Sequence, residues 1–161
     1  MTPGGEQERR LVLRVLSRWQ EACGEERDWP TRADIDPAQF GADWRNCFIL
    51  ALPEGGEPFY LYSGEAFAGP GWAEAAGRRV SEFPDGTLLS AAARFVPRVI
   101  ARGIPMSKGG PGENFGRRIL YRSILLPLSQ DGTRIDTLLG AANFREDAAA
   151  EPTPATAASA E

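Results

Sequence analysis

Histidine is absent from this chain. Its absence removes the commonest general acid/base side chain, the serine and cysteine triads, His-ligated haem and most zinc hydrolases. Cysteine is nearly absent too. Cys23 and Cys47 are too few for a disulfide framework and too few to hold a metal by themselves. Lysine occurs once, at Lys108, so arginine carries almost all the positive charge. The net charge of −4 disfavours a dedicated nucleic-acid binder. No apolar run approaches the roughly 20 residues of a membrane span, and no start-proximal apolar segment resembles a secretory signal. A soluble, cytoplasmic protein without membrane contact is the default expectation.

What is present fits one domain with appendages. At 161 residues the chain can bury roughly 70% of its unfolded surface without staples. Residues 1–7 read as a flexible lead-in. From Glu8 to about Cys23, Leu11, Val12, Val15, Leu16 and Trp19 recur on one helical face, with Arg10, Arg14 and Arg18 on another. This amphipathic helix is expected to pack on the domain. The same five apolar residues could also serve as a dimer or partner surface. Asp36-Pro37 marks a helix start, aspartate as N-cap and proline in the first turn.

Residues 47–63 read as a hairpin, with strands at Cys47–Leu52 and Phe59–Tyr62 around a loose "PEGGEP" turn. The Gly- and Pro-broken stretch from Gly64 to Phe83 suggests short helical turns crossing a sheet. Helical spacing returns from Thr87 to Arg102, with Pro97 expected to kink that helix. Gly103–Lys108 reads as a strand and Gly109–Gly116 ("GGPGENFG") as a flexible connection. The latter lacks the Gly-Lys-Ser/Thr ending of a phosphate loop. Two apolar runs, Ile124–Leu128 and Leu138–Phe144, flank Asp131-Gly132 as a final hairpin. Residues 147–161 have no large apolar side chain and read as a disordered tail.

The element order predicts an α+β fold: a five-stranded antiparallel sheet over residues 47–146 with helices on one face. An N-terminal helical segment, residues 8–46, precedes it. More specific pieces lie in order along the chain. They are Trp29-Pro30-Thr31-Arg32-Ala33-Asp34-Ile35-Asp36-Pro37, Phe59-Tyr60-Leu61-Tyr62-Ser63-Gly64, Gly77-Arg78-Arg79-Val80-Ser81-Glu82, Gly103-Ile104-Pro105, and the block from Tyr121 through Leu126-Pro127-Leu128-Ser129 and Asp131-Gly132 to Leu139-Gly140-Ala141. By these the chain resembles a bacterial family of small, often single-domain PAS proteins over residues 19–145. The segment Ala66–Ala76 departs from that pattern in its glycine and alanine content.

The resemblance implies a sensory or regulatory module without catalysis of its own, working through a protein partner or a homodimer. It also implies room for a small-molecule ligand between sheet and helices, while naming no cofactor and no metal. Tyr60, Tyr62, Phe67, Trp72, Phe95, Tyr121 and Asn143 are the candidate pocket residues. Regular alternation puts Tyr60 and Tyr62 on one face, with the inward face left open. Asn143 is the polar residue favoured to meet a ligand. Arg45-Asn46-Cys47 resembles the flavin-binding, light-sensing PAS signature but falls at the start of a strand instead of on a helix, so a half-buried structural cysteine is preferred. Arg94, Arg98 and Arg102 read as a solvated helix face, and Asp34 and Asp36 as turn and cap residues. A small-ligand carrier or enzyme on a similar curved sheet is the alternative reading.

Overall fold

The computed structural model describes residues 3–68, 76–83 and 86–147, with side chains from residue 10 onward. Among the described residues four α-helices, α1 (Pro3–Cys23), α2 (Pro37–Phe40), α3 (Leu88–Ala93) and α4 (Val96–Arg102), accompany five strands. These are β1 (Cys47–Ala51), β2 (Phe59–Ser63), β3 (Met106–Asn114), β4 (Arg117–Leu128) and β5 (Thr137–Glu146). The strands form one antiparallel sheet in the order β2-β1-β5-β4-β3. Short 3₁₀ turns at Glu65–Phe67 and Val80–Glu82 lie between β2 and α3, as the broken composition there suggests.

Two cores form, one on each side of the sheet. On the inner side, α3 and α4 cover Phe48, Leu50, Tyr60, Ile119, Tyr121, Leu125, Leu138 and Ala142. On the outer side, α1 lays Leu11, Val12, Val15 and Trp19 over Cys47, Ile49, Ile124, Leu126, Leu128, Leu139 and Ala141. The helices therefore segregate, with α3 and α4 inside and α1 running across the outer face of the strands β4 and β5, where Phe40 of α2 joins it. Strands covered on both faces lose the polar alternation of a half-wet sheet. That is why Ile124–Leu128 and Leu138–Ala142 are apolar at consecutive positions.

Local chemistry sets several boundaries. Asp36 accepts from the Ala38 N–H at 3.0 Å and Pro37 stands in the first turn, so the α2 start is as expected. Thr87 caps α3 through the Ser90 N–H. The single helix expected over residues 87–102 is two. Pro97 cannot donate, and the chain breaks at Arg94-Phe95 before α4 begins with proline in its first turn. Gly103 then closes α4 at φ 68, a left-handed cap, so the next strand starts at Met106 and not at Gly103.

The glycine-rich stretch departs further from expectation. Residues 109–114 are strand, paired with β4 from Met106↔Leu125 to Asn114↔Arg117. The turn is only Phe115-Gly116, at φ 52 and 83, the signs of a two-residue hairpin turn. Pro111 is tolerated because β3 is an edge strand. Likewise α1 starts at Pro3, inside the expected lead-in. The expected tail from residue 148 lies outside the described residues.

Candidate functional site

The inner core holds most of the aromatic candidates. Tyr60, Phe67, Phe95 and Tyr121 are buried there. Phe48 packs edge-on against Tyr60 and Phe67, with centroids 5.7 and 5.5 Å apart, and Tyr60 meets Phe83 edge-on at 5.2 Å. Edge-to-face contacts suit the ring quadrupoles and lock the rings against each other. The Tyr60 hydroxyl donates to the Leu89 carbonyl at 3.3 Å, tying the sheet to α3. Burial pushes that phenol well above its ordinary range, so it remains a neutral donor. Trp72 lies outside the described residues.

Tyr62 and Asn143 do not join this cluster. A bulge between Ile49 and Leu50 of β1 places Leu61 as the extra residue, with Leu50↔Tyr60 on one side and Ile49↔Tyr62 on the other. Directly paired residues share a face, so the bulge sends Tyr60 inward with Leu50 and Tyr62 outward with Ile49. This corrects the expectation from regular alternation. Tyr62 instead stacks on Trp44 at 5.0 Å and donates to the Trp44 carbonyl at 3.1 Å. Asn143 follows Leu139 and Ala141 on the outer face. That alternation turns it away from the inner core, and its carboxamide oxygen accepts from the Phe144 N–H at 2.9 Å.

Leu11, Val12, Val15 and Trp19 are buried against this chain's own sheet, and Leu16 is half-buried beside them. The Trp19 indole N–H donates to the Pro127 carbonyl at 2.9 Å. The Arg14 guanidinium clasps both Asp43 oxygens at 2.7 and 2.8 Å, pinning α1 to the turn before β1. The face proposed for a dimer is thus occupied within the monomer, and reaching a second copy through it would require α1 to leave the sheet.

Cys47 settles on the outer face as well. It is fully buried, and its thiol donates to the Asp43 carbonyl at 3.4 Å. Burial, helped by the Asp43 charge, drives its pKa far upward. A neutral thiol behind the sheet cannot attack a ligand held between sheet and helices. Among the described residues no group of His, Cys, Asp or Glu could hold a metal ion.

Two clefts border the inner layer. One, of about 490 Å³, lies between α3 and the β3–β4 hairpin, with Thr87, Ala91, Arg94, Glu113 and Tyr121 in its wall. Burial raises the Tyr121 phenol and the Arg94 charge opposes that rise. The other, of about 600 Å³, lies where the β1–β2 turn, the end of α4 and the β4–β5 loop converge on Trp29. The Trp29 indole N–H donates to the Gly103 carbonyl at 2.9 Å, and Arg134 donates to the Leu52 carbonyl. The sequence held no signal for this second cleft, because its walls come from four segments remote along the chain.

A single antiparallel sheet with short helices on its inner face and an N-terminal helix behind makes this an α+β module. A family profile described as a PAS domain matches residues 9–143, and the chain belongs to that family. No curated protein sequence matches. Similar solved structures include one from a study of a fungal LOV-domain photoreceptor in a conserved pathway integrating blue light and oxidative stress. It is 14% identical, covers 84% of this chain and 91% of its own, and superposes with a TM-score of 0.42. No helix among the described residues is long and apolar enough to cross a membrane.

Proposed function

We propose that this chain is a bacterial, cytoplasmic sensory or regulatory module without catalysis of its own, acting by contact with a protein partner. The observation that carries the reading is the inner layer of the PAS fold. Phe48, Tyr60, Phe67 and Phe83 interlock beneath α3 and the 3₁₀ turns, and Tyr60 bonds the sheet to the Leu89 backbone. A change at these rings passes to α3 and on to α4, where Pro97, Arg98, Ala101 and Arg102 are exposed. Membership of the PAS family supports the sensory role. A small apolar ligand inserted among Tyr60, Phe67, Phe95 and Tyr121 would act on the same linkage.

Native mass spectrometry of tagged full-length protein purified from its own cells tests the reading. The expected result is a stoichiometric complex with a second polypeptide, with a small-molecule adduct if a ligand sets the signal. A bare monomer under gentle conditions, from cells grown in several states, would overturn it.

A further inference from the structure

Charge is unevenly distributed along this chain. Acids outnumber bases 22 to 18 overall, yet the segment from Gly86 to Gly112 carries Arg94, Arg98, Arg102 and Lys108 and no aspartate or glutamate. The fold places three of these cations on α4 or at the break just before it, and the fourth on the edge strand β3. Arg98 and Arg102 stand one turn apart on α4, Arg94 lies at the break between α3 and α4, and all three are exposed. Lys108 sits on β3, opposite Ser123 of β4. Among the described residues none of the four forms an ion pair, whereas Arg14, Arg27, Arg79 and Arg117 each have a carboxylate partner. A surface meant only for solvation intersperses both signs.

Apolar surface accompanies the charge. Ile100 and Ile104 are 43% and 51% exposed at the end of α4 and just beyond it. Ile100 forms one wall of the cleft of about 600 Å³, together with Trp29, Leu52 and Ile135. Arg102, Arg134 and Glu54 also line it, so the cleft is apolar inside with mixed, net positive charge around it.

We propose that the α4 ridge and the Trp29–Ile100 cleft together form a docking surface for an acidic protein segment. An aspartate- or glutamate-rich stretch would lie along Arg94, Arg98 and Arg102 and place one apolar side chain in the cleft. The inference rests on the reading that the module works through a protein partner, and names the chemistry of that partner. Nucleic acid fits less well. The chain as a whole is negative at −4, and two exposed isoleucines gain nothing from a phosphate backbone.

The test titrates isotope-labelled full-length protein with short synthetic probes while amide and indole NMR signals are followed. The probes are a Glu/Asp peptide carrying two leucines, the same peptide with serine for leucine, a DNA duplex, and anionic phosphatidylglycerol vesicles. The leucine peptide is expected to shift Arg98–Ile104 and the Trp29 indole, and to bind more tightly than the serine peptide. Arg98→Glu with Arg102→Glu should weaken it by about tenfold or more, and added salt should weaken it too. Ile100→Ser should weaken it several-fold. If the charge reversals disturb folding, Arg98→Gln with Arg102→Gln provides the same comparison, with far-UV circular dichroism as the check.

Shifts confined to another face would overturn this surface while leaving the partner reading intact. Tighter binding of DNA or vesicles, lost in the same variants, would overturn the partner class. Absence of saturable binding to any probe would overturn the surface itself. Failure of the underlying partner reading shows separately, as a bare monomer in the native mass spectrum of protein from its own cells.

Discussion

Gly140→Ala tests the inner core at its tightest point. Gly140 pairs with Phe48 across β5 and β1, and the Phe48 ring lies over the glycine. A methyl built there would stand 2.2 Å from two ring carbons and 2.8 Å from a third, so ring or strand must move by more than an ångström. Phe48 is fully buried and wedged against Tyr60 and Phe67, which leaves it little room to yield. Gly140 is not among the positive-φ glycines, so alanine meets no backbone strain and the whole effect is steric. Overpacking of this kind costs about 1–3 kcal/mol, and the closed ring cage argues for the upper end. For a chain of this size each kcal/mol lowers Tm by about 2–4 °C.

A double-mutant cycle isolates the collision. Phe48→Ala alone should cost about 3–5 kcal/mol by leaving a cavity. In the double variant the new methyl enters vacated space, so the combined cost should fall short of the sum by about 1–3 kcal/mol. Urea unfolding followed by tryptophan fluorescence and far-UV circular dichroism measures all four corners. Costs that add within about 0.5 kcal/mol would refute the contact as described.

Other expectations follow from single contacts. Trp19→Phe removes the indole donor from the Pro127 carbonyl inside the outer core and should cost about 1–3 kcal/mol in urea unfolding. Removing residues 1–20 uncovers the outer face of β4 and β5, and light scattering should reveal a loss of soluble monomer. Asp131 accepts from the Thr133 and Arg134 N–H groups and from Ser129, which lowers its carboxyl from 3.8 to about 2. A depressed folded pKa adds stability above the unfolded value, and that stability is lost as pH falls toward 2. Asp131→Asn should flatten the stability–pH profile over that acid window, and an unchanged profile would sink the assignment. Cys23 and Cys47 are both buried with raised pKa values, so a thiol reagent should label neither at an appreciable rate until the protein is unfolded.

Much of the fold was legible in local pattern. Apolar spacing marked α1, the Asp36-Pro37 pair marked α2, and Asp131-Gly132 marked the last loop, where Gly132 does adopt φ 78. The site was less legible. Asn143 looked like a ligand-facing amide because it interrupts an apolar run, but in a strand covered on both faces such a run does not say which face a residue takes. Glycine content suggested a loose loop at residues 109–114, where cross-strand hydrogen bonds from β4 override weak propensity.

Local spacing, caps and turn residues depend on nearby neighbours, and these are written in the sequence itself. From them follow α1, α2, the strands β1, β2, β4 and β5 and the last hairpin, but neither the break at Arg94-Phe95 nor the strand at residues 109–114. What only the tertiary structure decided depends on partners far along the chain. One inserted residue at Leu61 separates Tyr60 from Tyr62 across the sheet, because pairing with β1 absorbs it as a bulge. The apolar stripe of α1 lies on Ile124, Leu126 and Leu139 of its own sheet, a seat that helical spacing alone does not specify. The cleft at Trp29 exists only because a turn, a helix end and a loop converge there, a meeting that no local pattern of residues records.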